Sequence, residues 1–292
     1  MLTFFTIPKP FRGHVGVIQR NAIGSWTRLQ AGCQVLVCGE EEGARETAAQ
    51  LGAEFVPEVA RNEFGTPLLS DVFALAERRA RHDLLCYVNA DIILLTDFIE
   101  AAARVARGRR RFLMAGQRWD LEVREPIAFE ADDWEAGLKA RVRERGRIHP
   151  PSGSDYFVYP RGTLGGLPSF AVGRPAWDNW FIFRARALRV PVVDATRCTT
   201  VIHQDHDYAH VKAATDATWE GPEAERNRAL MGASDRLFTL LDATHVLTDH
   251  GIAPALDAAH LRRRLASFPA LVPAARPLFD AAKAVRNALR RS

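Results

Sequence analysis

Leu84-Leu85-Cys86-Tyr87-Val88 is an apolar run of strand-forming residues. It stops at the polar triplet Asn89-Ala90-Asp91 and resumes as Ile92-Ile93-Leu94-Leu95. The run is too short for a core helix and shows no polar alternation, which fits a strand buried on both faces in a helix-covered parallel sheet. The triplet then falls just past the carboxyl end of that strand, where open α/β sheets bind ligands. A carboxylate between two buried segments is costly unless something pairs with it. Asp91 therefore reads either as the cap of a helix starting near Thr96 or as a ligand for a hard divalent cation.

Strand and helix patterns alternate through the first 110 or so residues. Leu2–Ile7, Gln34–Cys38 and Ala53–Val56 read as strands. Val15–Leu29 and Glu40–Leu51 read as helices, the first ended by Gly32 and the second opened by acidic residues. Thr66-Pro67 has the form of a helix start, with a capping threonine and proline in the first turn. A helix over Asp97–Arg107 and a strand over Phe112–Gln117 come next. Such alternation predicts βαβ units and a largely parallel sheet. Ala131–Arg145 is a charged helix candidate, residues 152–207 are rich in Gly, Pro and aromatics, and the chain from Trp219 onward reads as helical.

Three later segments carry candidate chemistry. In Ser152-Gly153-Ser154-Asp155, an aspartate stands directly ahead of the apolar strand Tyr156-Phe157-Val158-Tyr159. It either caps its own turn or binds sugar hydroxyls. In Gly173-Arg174-Pro175-Ala176-Trp177-Asp178-Asn179-Trp180, two tryptophans flank Asp178-Asn179. Aromatic rings offer flat faces to sugar rings, and an adjacent carboxylate can take a hydroxyl proton as a general base. The other reading is an N-cap aspartate with core tryptophans. Arg197-Cys198-Thr199-Thr200-Val201-Ile202-His203-Gln204-Asp205-His206-Asp207 is a β-branched strand ending in a dense His/Asp cluster.

A strand ending in an Asp-x-Asp variant near residue 90, followed by these segments in this order, resembles the GT-A glycosyltransferases, which use nucleotide sugars. The resemblance covers roughly residues 1–210. It departs at Asn89, which stands where the motif has its first Asp and leaves Asp91 as the anionic ligand. The Gly/Trp octet resembles the acceptor-site motif of the β-1,4-galactosyltransferase family, as does Arg197-Cys198 spaced four residues before His203. What the resemblance implies is a GT-A-like, Rossmann-type mixed sheet flanked by helices at residues 1–215, with a helical C-terminal extension at 216–292. It implies Mn²⁺ or Mg²⁺ held by Asp91 and His203, with Asn89 near the ribose or a metal-bound water. It further implies a nucleotide-sugar site at Thr6, Pro8 and Lys9 after the first strand. Arg61 would neutralise phosphate there or pair with a carboxylate. Asp178 would be the base of an inverting transfer, and Asp155, Trp177, Asn179, Trp180 and His206 would bind acceptor or sugar.

The implied function is sugar transfer from a nucleoside diphosphate donor to a glycan, lipid-linked or small-molecule hydroxyl acceptor, in surface polysaccharide or glycoconjugate synthesis. Two alternatives stand beside it. One is a non-catalytic sugar-binding module of the same fold, which Asn89 favours. The other is a sugar-nucleotide nucleotidyltransferase, which the poor glycine-rich loop at Ile7–Gly13 disfavours.

Composition limits the setting. The chain has 292 residues, 47% hydrophobic and 25% charged, which is ordinary for a globular protein. Neither a signal peptide nor a spanning segment is evident, so the expected place is the cytoplasm. Cys33, Cys38, Cys86 and Cys198 are scattered without a CxxC pair and read as reduced core residues. A net charge of +4 suits anionic ligands, and no nucleic-acid motif is visible. From Arg262 to the end, eight basic residues face Asp280 alone. A partial apolar stripe over Leu271, Leu278, Phe279, Ala282, Val285 and Leu289 makes this a basic amphipathic segment. It can lie on an anionic bilayer at the inner membrane face or pack on the domain itself.

Overall fold

The computed structural model describes residues 1–205 and 219–281. The central sheet is assembled on β1 (Leu2–Thr6), which pairs in parallel with β2 (Gln34–Cys38) on one side and β4 (Leu84–Val88) on the other; β3 (Glu54–Val56) extends it beyond β2. β9 (Tyr156–Pro160) lies antiparallel between β4 and β6 (Leu113–Ala115), and β10 (Val192–Asp194) continues parallel to β6. A second, four-stranded sheet has the order β5 (Ile92–Leu94), β11 (Val201–Gln204), β7 (Trp119–Leu121), β8 (Arg147–Ile148). A mixed sheet covered by helices, with the polar triplet at the carboxyl end of β4, is the architecture the GT-A resemblance implies.

Strand alternation explains why both faces need cover. Phe5, Leu36, Leu85, Tyr87, Phe157 and Tyr159 point to one side, against α3 (Leu69–Arg79) and α6 (Trp177–Ala187). Phe4, Val35, Val37, Cys86, Val88 and Val158 point to the other, against α1 (Gly13–Trp26), α2 (Ala44–Leu51) and α4 (Thr96–Gly108). Trp26 is fully buried and donates its indole N–H to the Ile92 carbonyl at 2.8 Å, pinning α1 beneath the small sheet. A third helix-covered cluster joins Ile93, Leu95 and Ile202 to Leu138 and Val142 of α5 (Trp134–Arg145).

Several expectations are corrected. Thr66 caps no helix: α3 begins at Leu69, and Pro67 forms an isolated bridge with Arg61. α6 begins at Trp177 with Ala176 as its N-cap, so Asp178 lies in its first turn rather than capping the helix. The segment after residue 215 is not an all-helical extension. Beyond α7 (Pro222–Met231), β12 (His245–Thr248) pairs in parallel with β10 and turns into β13 (Gly251–Pro254), completing the main sheet. α8 (Ala258–Leu271) then packs on the 3₁₀ turn at Leu240–Asp242. All four cysteines are free; Cys38 and Cys86 are buried in β2 and β4.

Candidate active site

Register builds the site where the two sheets meet. In the antiparallel ladder of β4 and β9, Val88 pairs with Tyr156, so the next residues outward are Asn89 and Asp155. The Asn89 amide donates to the Asp155 carbonyl at 2.9 Å, and the Asn89 side-chain amide donates to Asp155 Oδ1 at 2.9 Å. In the small sheet, His203 pairs with Ile92 on one side and with Asp120 on the other. Asp91, His203 and Asp120 therefore converge from three strands widely separated in sequence.

His203 is buried among carboxylates. Its Nε2 lies 3.7 Å from Asp91 Oδ2, and its Nδ1 lies 3.2 Å from Asp120 Oδ1 and 3.8 Å from Asp205 Oδ1. Asp120, His203 and Asp205 offer ligand atoms that all lie within 4.8 Å of one another. Asp91 Oδ1 is buried with no hydrogen-bond partner among the described residues. A buried carboxylate oxygen without a donor is costly, and hard oxygen donors beside an imidazole suit Mn²⁺ or Mg²⁺. The donor set thus fits the cation that the motif implies.

The carboxylates play different parts. Asp120 accepts from Arg118 Nε at 2.9 Å, and its Oδ2 lies 3.1 Å from His149 Nδ1. Burial pushes its carboxyl up, but the hydrogen bonds from Arg118 and His149 outweigh burial and hold it below the usual range. With both oxygens engaged, Asp120 is placed to orient His203, as a carboxylate behind a metal-binding imidazole does. Arg118 also donates to Asp155 Oδ2. Burial alone would lower the guanidinium, yet Asp155 and Asp120 together raise it. Behind Asp91, the Gln204 side chain donates to the carbonyls of Ile18 (2.8 Å) and Asp91 (3.1 Å) and accepts from Asn21 at 3.0 Å. This amide relay ties the metal-motif turn to α1.

Asn89 and Asp91 open onto a cleft of about 530 Å³, walled by the loop after β1, the Arg61–Pro67 segment, Tyr87, Gly173-Arg174 and Trp177. Pro8 and Lys9 line it as expected, and Gln19 clamps the Lys9 backbone through bonds of 2.6 and 2.8 Å. Thr6 does not line it; its side chain is fully buried in the sheet. Arg61 reaches the wall already paired, donating to Glu41 Oε1 at 2.8 Å and to the Gly65 carbonyl at 2.8 Å. Arg174 is likewise held by Glu223, which also accepts from Asn62 at 2.7 Å.

The Gly/Trp octet divides. Trp177 faces the cleft and packs edge-on to Tyr87 with ring centroids 5.0 Å apart. Trp180 is a correction: it turns into the core against Phe170, at 5.5 Å. Asn179 is another, since its amide donates to the Phe238 and Ser152 carbonyls at 2.8 and 3.2 Å and so ties α6 to the C-terminal segment. Asp178 follows Trp177 in the first turn of α6, near Asp155 and the Ser154 amide, and does not itself line the cleft. Burial, and then the nearby Asp155, push its carboxyl up to about 6 against the pull of the Asn179 and Ser154 backbone amides. Ala176, two residues before it, is held at φ 83°, a left-handed conformation that strains a non-glycine residue. His206 lies outside the described residues. Sequence reasoning missed Arg118, Asp120, His149 and Gln204; the one local signal was an aspartate inside the short apolar stretch Trp119-Asp120-Leu121.

No family model matches the chain, and no curated protein matches it. Solved structures are similar at a distance. Glucosyl-3-phosphoglycerate synthase from Mycobacterium tuberculosis is 16% identical, with a TM-score of 0.49 over 79% of each chain. S. aureus TarS 1-349, in complex with UDP-GlcNAc, is 12% identical, with a TM-score of 0.47 over 77% of this chain and 61% of that one. A putative nucleotide-diphospho-sugar transferase from Desulfovibrio desulfuricans G20 is 11% identical, with a TM-score of 0.43 over 79% of this chain and 96% of that one. All three likenesses are distant, and the chemistry of the cleft is read from its own residues.

Proposed function

We propose that the chain is a metal-dependent glycosyltransferase that moves a sugar from a nucleoside diphosphate donor to a hydroxyl acceptor. The observation that carries this reading is Asp91: a carboxylate at the end of the central strand, one oxygen buried without a donor, facing His203 Nε2 at the foot of a ligand-sized cleft. Asp91 and His203 would hold Mn²⁺ or Mg²⁺, which when bound supplies positive charge against the departing diphosphate. Asp120, 3.2 Å from His203 Nδ1, would hold the His203 ring from its far side. Pro8 and Lys9 would border the nucleoside and phosphates, with Arg174 also on the wall.

Asn89 removes one of the motif's two charges, and its amide instead holds Asp155. Asp155 is thereby fixed behind the cleft residue Asn89, between it and Arg118, and we assign it to the binding of sugar hydroxyls. Asp178, with its carboxyl near 6, is ionised at neutral pH yet basic enough to take a proton from an acceptor hydroxyl. We assign it the base of an inverting transfer. Trp177 beside it supplies an aromatic edge for an acceptor sugar. For the setting, we propose assembly of a surface polysaccharide or glycoconjugate at the cytoplasmic face of a membrane, reached through the basic C-terminal segment. Nucleoside diphosphate release from a panel of nucleotide sugars, with and without Mn²⁺, tests the reading. Binding of a sugar nucleotide with no turnover on any acceptor would favour the non-catalytic module instead.

A further inference from the structure

α8 turns a polar side to the protein along most of its length, and Ala270 and Leu271 at its end pack on the main core. On the polar side, Arg263 donates to the buried Asp242 Oδ2 at 2.7 Å and to the Leu237 carbonyl at 2.6 Å, and Arg264 donates to the Ala255 carbonyl at 2.9 Å. His260 and Ser267 are buried on the same side. The opposite side carries Leu261, Leu265, Phe268 and, one turn on, Val272, which are 44%, 67%, 43% and 39% exposed. Their spacing of four, three and four residues makes one continuous helical stripe. Phe279 stacks on Phe268 at 5.9 Å and widens the patch. A helix docked only for stability would bury this side and leave its arginines in water.

Charge selects what covers the stripe. Arg262 is exposed beside it, and beyond residue 281 the sequence adds Lys283, Arg286, Arg290 and Arg291 with no acidic residue. This end of the chain is basic in sequence, so a second copy would bring like charge against like charge. An anionic bilayer offers acyl chains to the stripe and phosphates to Arg262 and the basic sequence that follows. We infer that the outer face of α8 from Leu261 to Phe268, continued by Val272 just past its end, is the surface by which this protein docks on anionic phospholipid. The inference rests on the membrane setting proposed above and is independent of the transfer chemistry.

Flotation of the full chain with phosphatidylglycerol/phosphatidylcholine vesicles, and with phosphatidylcholine alone, tests it. Binding is expected only to the anionic vesicles, weakening as salt rises. Leu265→Glu and Phe268→Glu, at exposed positions, should each weaken it by about tenfold or more, because each withdraws a large apolar side chain from the acyl region. Their melting temperatures and nucleoside diphosphate binding should match the unaltered protein. Failure of the full chain to float at low salt overturns both the docking face and the membrane setting. Undiminished flotation of both variants overturns the docking face alone and leaves the basic tail as the contact. A concentration-dependent dimer in sedimentation, abolished by Leu265→Glu, reassigns the stripe to self-association. None of these readouts depends on sugar transfer.

Discussion

Replacing Asp178 by Asn should make the protein more stable and nearly inactive, and the two effects have one cause. The fold holds the Asp178 carboxyl at about 6, against an ordinary 3.8, chiefly through burial and secondarily through Asp155. A carboxyl raised in the folded state contributes its full stability below the unfolded value and loses it as pH climbs through the folded one. From 3.8 to about 6 the loss amounts to about 3 kcal/mol. Asparagine keeps the shape without the charge. Asp178→Asn should therefore gain up to about 3 kcal/mol over the native chain above pH 6, with the gain vanishing toward about pH 4. The same change removes the proposed base and should lower kcat by about 10²–10⁴-fold with donor affinity kept. In the native chain, the kcat of the proposed transfer should fall as pH drops through about 6. Urea midpoints at acid and neutral pH, with steady-state kinetics beside them, provide the check. A stability difference independent of pH would refute the buried-charge reasoning. A normal kcat with a raised acceptor KM would make Asp178 a binding residue.

Asp91→Ala should leave the melting temperature unchanged or slightly raised, since it removes an oxygen without a donor, while abolishing the Mn²⁺ dependence of nucleoside diphosphate binding in calorimetry. Asp155→Ala frees Asn89 and leaves Arg118 with Asp120 alone, so denaturant unfolding should show a loss of about 3 kcal/mol, as for other broken buried pairs. Trp180→Ala should cost about 3–5 kcal/mol by emptying its core site against Phe170, while the variant that still folds should keep its acceptor KM.

How much of this was legible depended on range. Leu84–Val88 and Gln34–Cys38 stand in the structure where the sequence puts them, because a buried strand writes itself in consecutive apolar residues. Asp91 and His203 could be singled out one at a time, since each sits where a strand ends. Their meeting could not, because it depends on β11 pairing with β5 across more than a hundred residues. Asp120 was hidden for the same reason: its neighbour His203 is set by the β7–β11 register, and three residues are too short a strand to show a pattern. The Thr66-Pro67 signal misled because Asn62 claims that turn, accepting from the amides of Phe64 and Thr66. Trp177 and Trp180 look alike in sequence, but helical geometry placed one at the cleft and the other in the core. The hairpin of β12 and β13 was read as helix because its strands are short, although Asp249-His250-Gly251 marks the turn and Gly251 takes a φ of 118°.

The central claim is that this chain breaks the bond between a sugar and a nucleoside diphosphate with a cation held by Asp91 and His203. It is tested most directly by the release of nucleoside diphosphate from a panel of nucleotide sugars, by the full chain with Mn²⁺ and by its Asp91→Ala and His203→Ala variants. The expected result is time-dependent release from at least one donor, lost in chelator, restored by Mn²⁺, and absent in both variants. Release that persists undiminished in chelator and in Asp91→Ala would contradict the claim, as would a folded native chain that neither binds nor cleaves any nucleotide sugar with Mn²⁺ present.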